Sequence, residues 1–323
     1  TVVLASSLTI TGSFDMASGT MTAATNRALQ VAGALTQSGG RLDLSLSTLT
    51  VAAANGAHPV LFFDAAARNF VVGGIAGATA TVSGELSVSS SVYLNAGAEL
   101  VLTTGTLRLN GDGPFYGAGG VSASTGHWTV AGGASTQTWT KFNGNLGSLR
   151  VVNVSAGGLV LSTTAGSSFS LTGGLTVDSA VVLRATATAL SIGGNWSVLG
   201  SALLAKSTVT FVGASGSTSS VLAGANFDFL TIAGSDLTVT LSTTVTIASS
   251  MTVTAGTLDL AGSTVNIRGS WNETGGIVLG AASRVIFDAT IAQTVTALPG
   301  SSFGVFISSS AGGMTIASAL TAM

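Results

Sequence analysis

No cysteine occurs in the 323 residues, which excludes a disulfide scaffold and a thiolate metal site. Charge is nearly as scarce: 7% of residues are charged and the mean hydropathy is +0.64, against roughly 25% charged residues in an ordinary soluble domain. A surface with so few charges does little to hold other copies at a distance, so self-association is expected. Ten Lys plus Arg stand against twelve Asp plus Glu, a net charge of −2. No basic run breaks this balance, so the electrostatic footprint of a nucleic-acid partner is missing and none is expected.

Long apolar runs are missing too. None approaches the ~18 residues of a membrane helix. The strand-like runs are about three to five residues long, short of the ~9 to 11 of a membrane barrel strand, and there are no aromatic girdles. No membrane-spanning segment is expected. No stretch places apolar residues at helical spacing between capping residues, and the abundant Thr, Val, Ser and Gly are poor helix formers. An all-β chain is expected.

What the sequence does have is self-similarity. A pattern of apolar pairs around a glycine starts at Phe14, Leu100, Leu175 and Met251, dividing the chain into repeats of roughly 14–99, 100–174, 175–250 and 251–323. Later landmarks keep the same step: Trp196 matches Trp271, Phe211 matches Phe287 and Phe227 matches Phe303. The second copy is longer, with Pro114-Phe115-Tyr116 and His127-Trp128 reading as an insertion. Within each copy, pairs such as Met251/Val253, Val265/Ile267 and Val285/Phe287 place two side chains on one face of a strand. Gly- and Ser-rich turns such as Arg268-Gly269-Ser270 and Thr274-Gly275-Gly276 separate them.

A right-handed parallel β-helix of about 13 coils follows, one continuous β-solenoid over 1–323 in which each ~75-residue repeat makes three coils of about 25 residues. Tandem small antiparallel β-sandwiches are the alternative, since short strands at 8 to 12 residue spacing describe them as well. The uniformly short, uncharged connections favour the solenoid.

The run from Met251 to Val265, the phrase Gly269-Ser270-Trp271-Asn272-Glu273-Thr274-Gly275-Gly276 and the following Val285-Ile286-Phe287-Asp288 resemble the repeats of very large bacterial secreted and cell-surface β-helix proteins, adhesins and autotransporter passengers among them. The resemblance implies an extracellular or cell-surface location and a structural or adhesive role. It brings no catalytic residues. The function expected is a non-enzymatic solenoid contributing to a filament, surface layer or adhesin stalk, with self-association and contact to a cell surface or polysaccharide. A carbohydrate-binding or carbohydrate-cleaving β-helix is the alternative, and an outer groove holding Asp, Arg and aromatics would mark it.

Candidate chemistry is thin, and no catalytic, cofactor or metal residue is assigned. His58 and His127 stand alone, with no carboxylate or cysteine at ligand spacing. The densest acidic sets are Asp228/Asp236 and Asp259/Glu273/Asp288. Asn110-Gly111-Asp112-Gly113 resembles a calcium turn but occurs once, where calcium rolls need repetition. Sequons at Asn153, Asn195 and Asn272 are expected by chance in so Ser- and Thr-rich a chain. The Thr-x-Thr pairs at Thr208, Thr238, Thr244, Thr252 and Thr294 are unevenly spaced, which argues against a ranked ice-binding face. The β-propensity of threonine on exposed strands accounts for them. The repeat pattern is cut at both ends of the sequence, so coils are expected to continue across a junction, in a longer chain or by head-to-tail stacking.

Overall fold

The computed structural model describes the chain apart from residues 53–63, 74–76, 112, 118, 124–125, 133–134, 141–142, 154, 163–167, 215, 224, 319–320 and 323. The described residues form 41 strands and no helix, and every ladder among them is parallel. Two compact units, Thr1–Thr164 and Ala165–Met323, are each wound as a parallel β-helix with three strand columns. The antiparallel sandwich alternative is thereby excluded.

In the second unit, one column runs through Ser168–Leu171, Ala189–Ile192, Thr208–Phe211, the second half of Ala225–Ile232, the second half of Val245–Val253, Ser270–Glu273, Gln293–Thr296 and Met314–Ile316. Alternation along each strand sends one residue in and the next out. Inward, Phe169, Leu190, Val209, Leu230, Met251, Trp271 and Val295 stack coil upon coil, all buried. Burial of each such side chain contributes about 1.5 to 3 kcal/mol. Buried amides serve the corners. Gln293 Nε2 donates to the carbonyls of Ile267 at 2.9 Å and Gly269 at 2.7 Å, and Gln37 Nε2 to those of Gly40 and Asp64, satisfying groups that a strand ladder leaves open at a bend.

The coil is shorter than the repeat suggests. Thr208 lies opposite Phe229, Phe229 opposite Ser250 and Ser250 opposite Ser270, steps of 20 or 21 residues rather than a uniform 25; the step widens locally to 25 where Trp196 faces Val221 and to 24 where Trp271 faces Val295. The 75-residue repeat is therefore not a whole number of coils. Trp196 belongs to the column of Thr218–Ala223, Thr238–Leu241 and Thr257–Asp259, whereas Trp271 belongs to the column described above. Equivalent residues of successive repeats thus stand on different faces.

The disturbed second copy also has a physical reason. In the first unit the steps from Val92 to Phe115 and from Phe115 to Trp139 are 23 and 24 residues. The wider coils admit a buried trio: Phe115 against Trp128 at 5.2 Å and Trp139 at 5.4 Å, with Trp128 and Trp139 at 5.6 Å between ring centres. These residues are core, not interruption.

Gly117 shows how tightly the coils nest. Its φ is +137°, and a Cβ there would collide with the Leu94 carbonyl oxygen one coil away. Gly117→Ala is expected to lower stability by more than about 1 kcal/mol, since strain and clash act together; urea denaturation checks this.

Candidate functional surfaces and groove

Outward positions have distinct chemistry face by face. In the first unit, one face carries Asp64, Glu85, Thr106, His127 and Ser148 in one column and Asp43, Ala66, Ser87, Arg108, Thr129 and Arg150 in the next. The carboxyl of Asp43 is held below its ordinary value, chiefly by hydrogen bonding to Ser45, helped by Arg41 at 3.5 Å. Its folded pKa is depressed, so its small contribution to stability is present above about pH 4 and is lost as pH falls through the lowered value. His127 is exposed, with Thr106 and Ser148 as its ladder neighbours. No carboxylate stands in register beside it to build a triad.

The second unit presents a surface of different chemistry. Ser170, Ser191, Thr210, Thr231, Thr252, Asn272 and Thr296 occupy one outward column over seven successive coils. Beside it run Ser168, Ala189, Thr208, Phe229, Ser250 and Ser270. Neither column holds a charge. Thr208/Thr210, Thr252 and Thr294/Thr296, uneven in sequence, share this sheet because coil register rather than linear spacing decides which side chains align. Thr238 and Thr240 stand on another column, opposite Thr257 and Asp259, so the sequence pairs do not form one face.

At a corner of the same unit lies an open groove of about 370 Å³. The strand Ala225–Ile232 bulges between Phe227 and Phe229, and Asp228 sits at the break. Its carboxylate accepts hydrogen bonds from the Lys206 backbone N–H and the Ser249 hydroxyl. Lys206 has a φ of 56°, the turn that aims this N–H. Arg268 lines the groove and lies 3.8 Å from Asp288. Leu203, Ala205, Asn226 and Thr246 also line the groove.

The other acidic residues go elsewhere. Asp236 takes a left-handed turn with φ 55°, and Asp259 accepts from the Ala261 N–H at 2.9 Å. Glu273 points into the core. Its inward column is Leu171, Ile192, Phe211, Ile232, Val253 and then Glu273. The buried carboxylate receives Trp271 Nε1–H at 2.7 Å, the Leu298 N–H at 2.8 Å and the Ser301 hydroxyl at 2.6 Å. Trp196, the repeat counterpart of Trp271, has Val198 where Glu273 would stand, and its Nε1 meets no acceptor among the described residues.

Among the described residues no three His, Asp or Glu side chains gather as a metal site. His58 and Asp112 lie outside the described residues. The rest of the calcium-like turn is used internally: Asn110 accepts from Arg108 Nε at 2.7 Å, and the Gly111 carbonyl from Gln137 Nε2. Of the sequon asparagines, Asn153 is buried and bonded to Gln137 Oε1 at 3.0 Å. Asn195 and Asn272 are exposed. No family model, curated protein or solved structure matches the chain. Among the described residues no helix is long and apolar enough to cross a membrane.

Proposed function

We propose that the chain is a non-enzymatic structural element of an extracellular or cell-surface assembly, a solenoid segment of a filament, surface layer or adhesin stalk. The observation that carries this reading is the uncharged column from Ser170 to Thr296, six hydroxyls and the Asn272 amide in register over seven coils. Such a surface offers extended repetitive contact, which suits an assembly or an adhesive face.

Self-association has a second support. On two outward columns of the second unit, polar residues give way to apolar ones: Thr257 and Asp259 to Ile277 and Leu279, and Asn266 to Ile286 and Ile307. Ile277, Leu279, Val305 and Ile291 are exposed. Apolar side chains repeated on neighbouring strands favour contact with another chain when few charges oppose it. A second copy of the chain is the occupant proposed.

Sedimentation velocity across a concentration series tests this. Reversible growth into larger species is expected, and Ile277→Lys with Leu279→Glu should reduce it. A single monomer at every concentration would overturn the assembly reading.

A further inference from the structure

We infer that the corner groove of the second unit binds a neutral saccharide chain through vicinal hydroxyls. Its residues come from four successive coils: Leu203 and Ala205, then Asn226 and Asp228, then Thr246, then Arg268. Three steps at the usual strand separation give about 14 Å of length, open to solvent along one side. That shape suits a linear occupant lying across the coils better than a compact cofactor. The volume of about 370 Å³ falls within the range of small-ligand sites, roughly 300 to 1,000 Å³.

The chemistry narrows the class. A carboxylate and a guanidinium are planar and two-pronged, so each can engage two adjacent hydroxyls at once. Asn226 and Thr246 add an amide and a hydroxyl, which both donate and accept. Exposed Leu203, with Ala205, provides the apolar wall that the C–H face of a sugar ring needs. Asp228 and Arg268 offset one another in charge, so the groove holds no excess of one sign to select phosphate or a polyanion.

Preorganisation is built in at Asp228, whose orientation is fixed by the Lys206 N–H and Ser249 hydroxyl, sparing part of the ordering cost of binding. Among the described residues the side-chain contact that constrains Arg268 is the long one to Asp288, which leaves most of its donors for a ligand. The acidic sets read from the sequence do not assemble this groove. The 20-residue coil step does, bringing Asp228 and Arg268 two coils apart onto one corner.

Titration calorimetry of the whole chain tests the inference, with neutral hexasaccharides of β-linked glucose, xylose, mannose and galactose, and with a galacturonate hexasaccharide and inorganic phosphate as anionic probes. Binding of at least one neutral hexasaccharide is expected. Arg268→Gln and Asp228→Asn should each weaken it about tenfold or more, as loss of hydrogen bonds to charged groups does, and Leu203→Ser should weaken it by a similar factor through loss of the apolar wall. Arg41→Gln, in the first unit, should leave it unchanged. Should Asp228→Asn fail to fold because it anchors the Lys206 turn, the two variants at exposed side chains still decide. No binding of any neutral probe at millimolar concentration, binding only of the anionic probes, or binding indifferent to Arg268→Gln would overturn the assignment. None of these outcomes bears on the assembly reading, which sedimentation tests separately.

Discussion

Trp128→Ala is expected to lower the unfolding free energy by about 3 to 5 kcal/mol. The side chain is fully buried and meets Phe115 edge-on at 5.2 Å and Trp139 at 5.6 Å. Its removal forfeits the burial of a large ring and two aromatic contacts worth about 0.5 to 1.5 kcal/mol each. The cavity left behind cannot readily close, because the coils on either side are held by continuous backbone ladders through Leu107 and Leu149. Trp128→Phe keeps part of the packing and should cost about half as much. Urea denaturation followed by circular dichroism checks both, and a loss below about 1 kcal/mol for Trp128→Ala would show that the trio is loosely packed.

Glu273→Ala is expected to cost a comparable amount, about 3 to 5 kcal/mol, for a different reason. Three donors converge on this carboxylate: Trp271 Nε1–H, the Leu298 N–H and the Ser301 hydroxyl. Each donor left buried without an acceptor costs about 1 to 3 kcal/mol, and the side chain's own volume becomes a cavity. Glu273→Gln retains an acceptor oxygen and should lose only about 1 to 2 kcal/mol. Glu273→Val continues the aliphatic column of Ile232 and Val253 yet still orphans the donors, so shape alone should not rescue it. A double-mutant cycle separates the two contributions, since Trp271→Phe should cost less in the Glu273→Val background than in the native chain. Equal stability of Glu273→Ala and the native chain would mean that water reaches these donors.

Much of the fold was legible in the sequence because period-two pairs such as Val265/Ile267 and Val285/Phe287, separated by Gly turns, describe short strands turning corners, and these residues are buried in parallel ladders as expected. The coil length was not. Self-similarity between Trp196 and Trp271 measures the repeat of the sequence, whereas the coil is set by three strands and three corners, and the two lengths are not commensurate. With steps of 20 or 21 residues that widen to 24 between Asn272 and Thr296, the uneven spacing of the Thr pairs ceases to be an argument about which of them share a face.

The inward placement of Glu273 has a signal in the sequence. Trp271 must be inside, and alternation then places Glu273 inside with it. Asp228 had none, because the bulge between Phe227 and Phe229 breaks the alternation on which such a reading depends. The groove, assembled from residues roughly 20 apart, could be seen only after the coil register was known.

That register is the claim on which the faces, the groove and the hydroxyl column all rest. The chain has no native cysteine, so it can be tested by cross-linking without background. In the double variant Thr210→Cys with Thr231→Cys, the two positions lie opposite each other on neighbouring coils, at a Cα separation of about 4.8 Å, within reach of a disulfide. Mild oxidation should join them nearly quantitatively, while Thr210→Cys with Ser235→Cys, the pairing that a 25-residue coil requires, should stay reduced. Efficient bridging of the second pair and not the first would contradict the account.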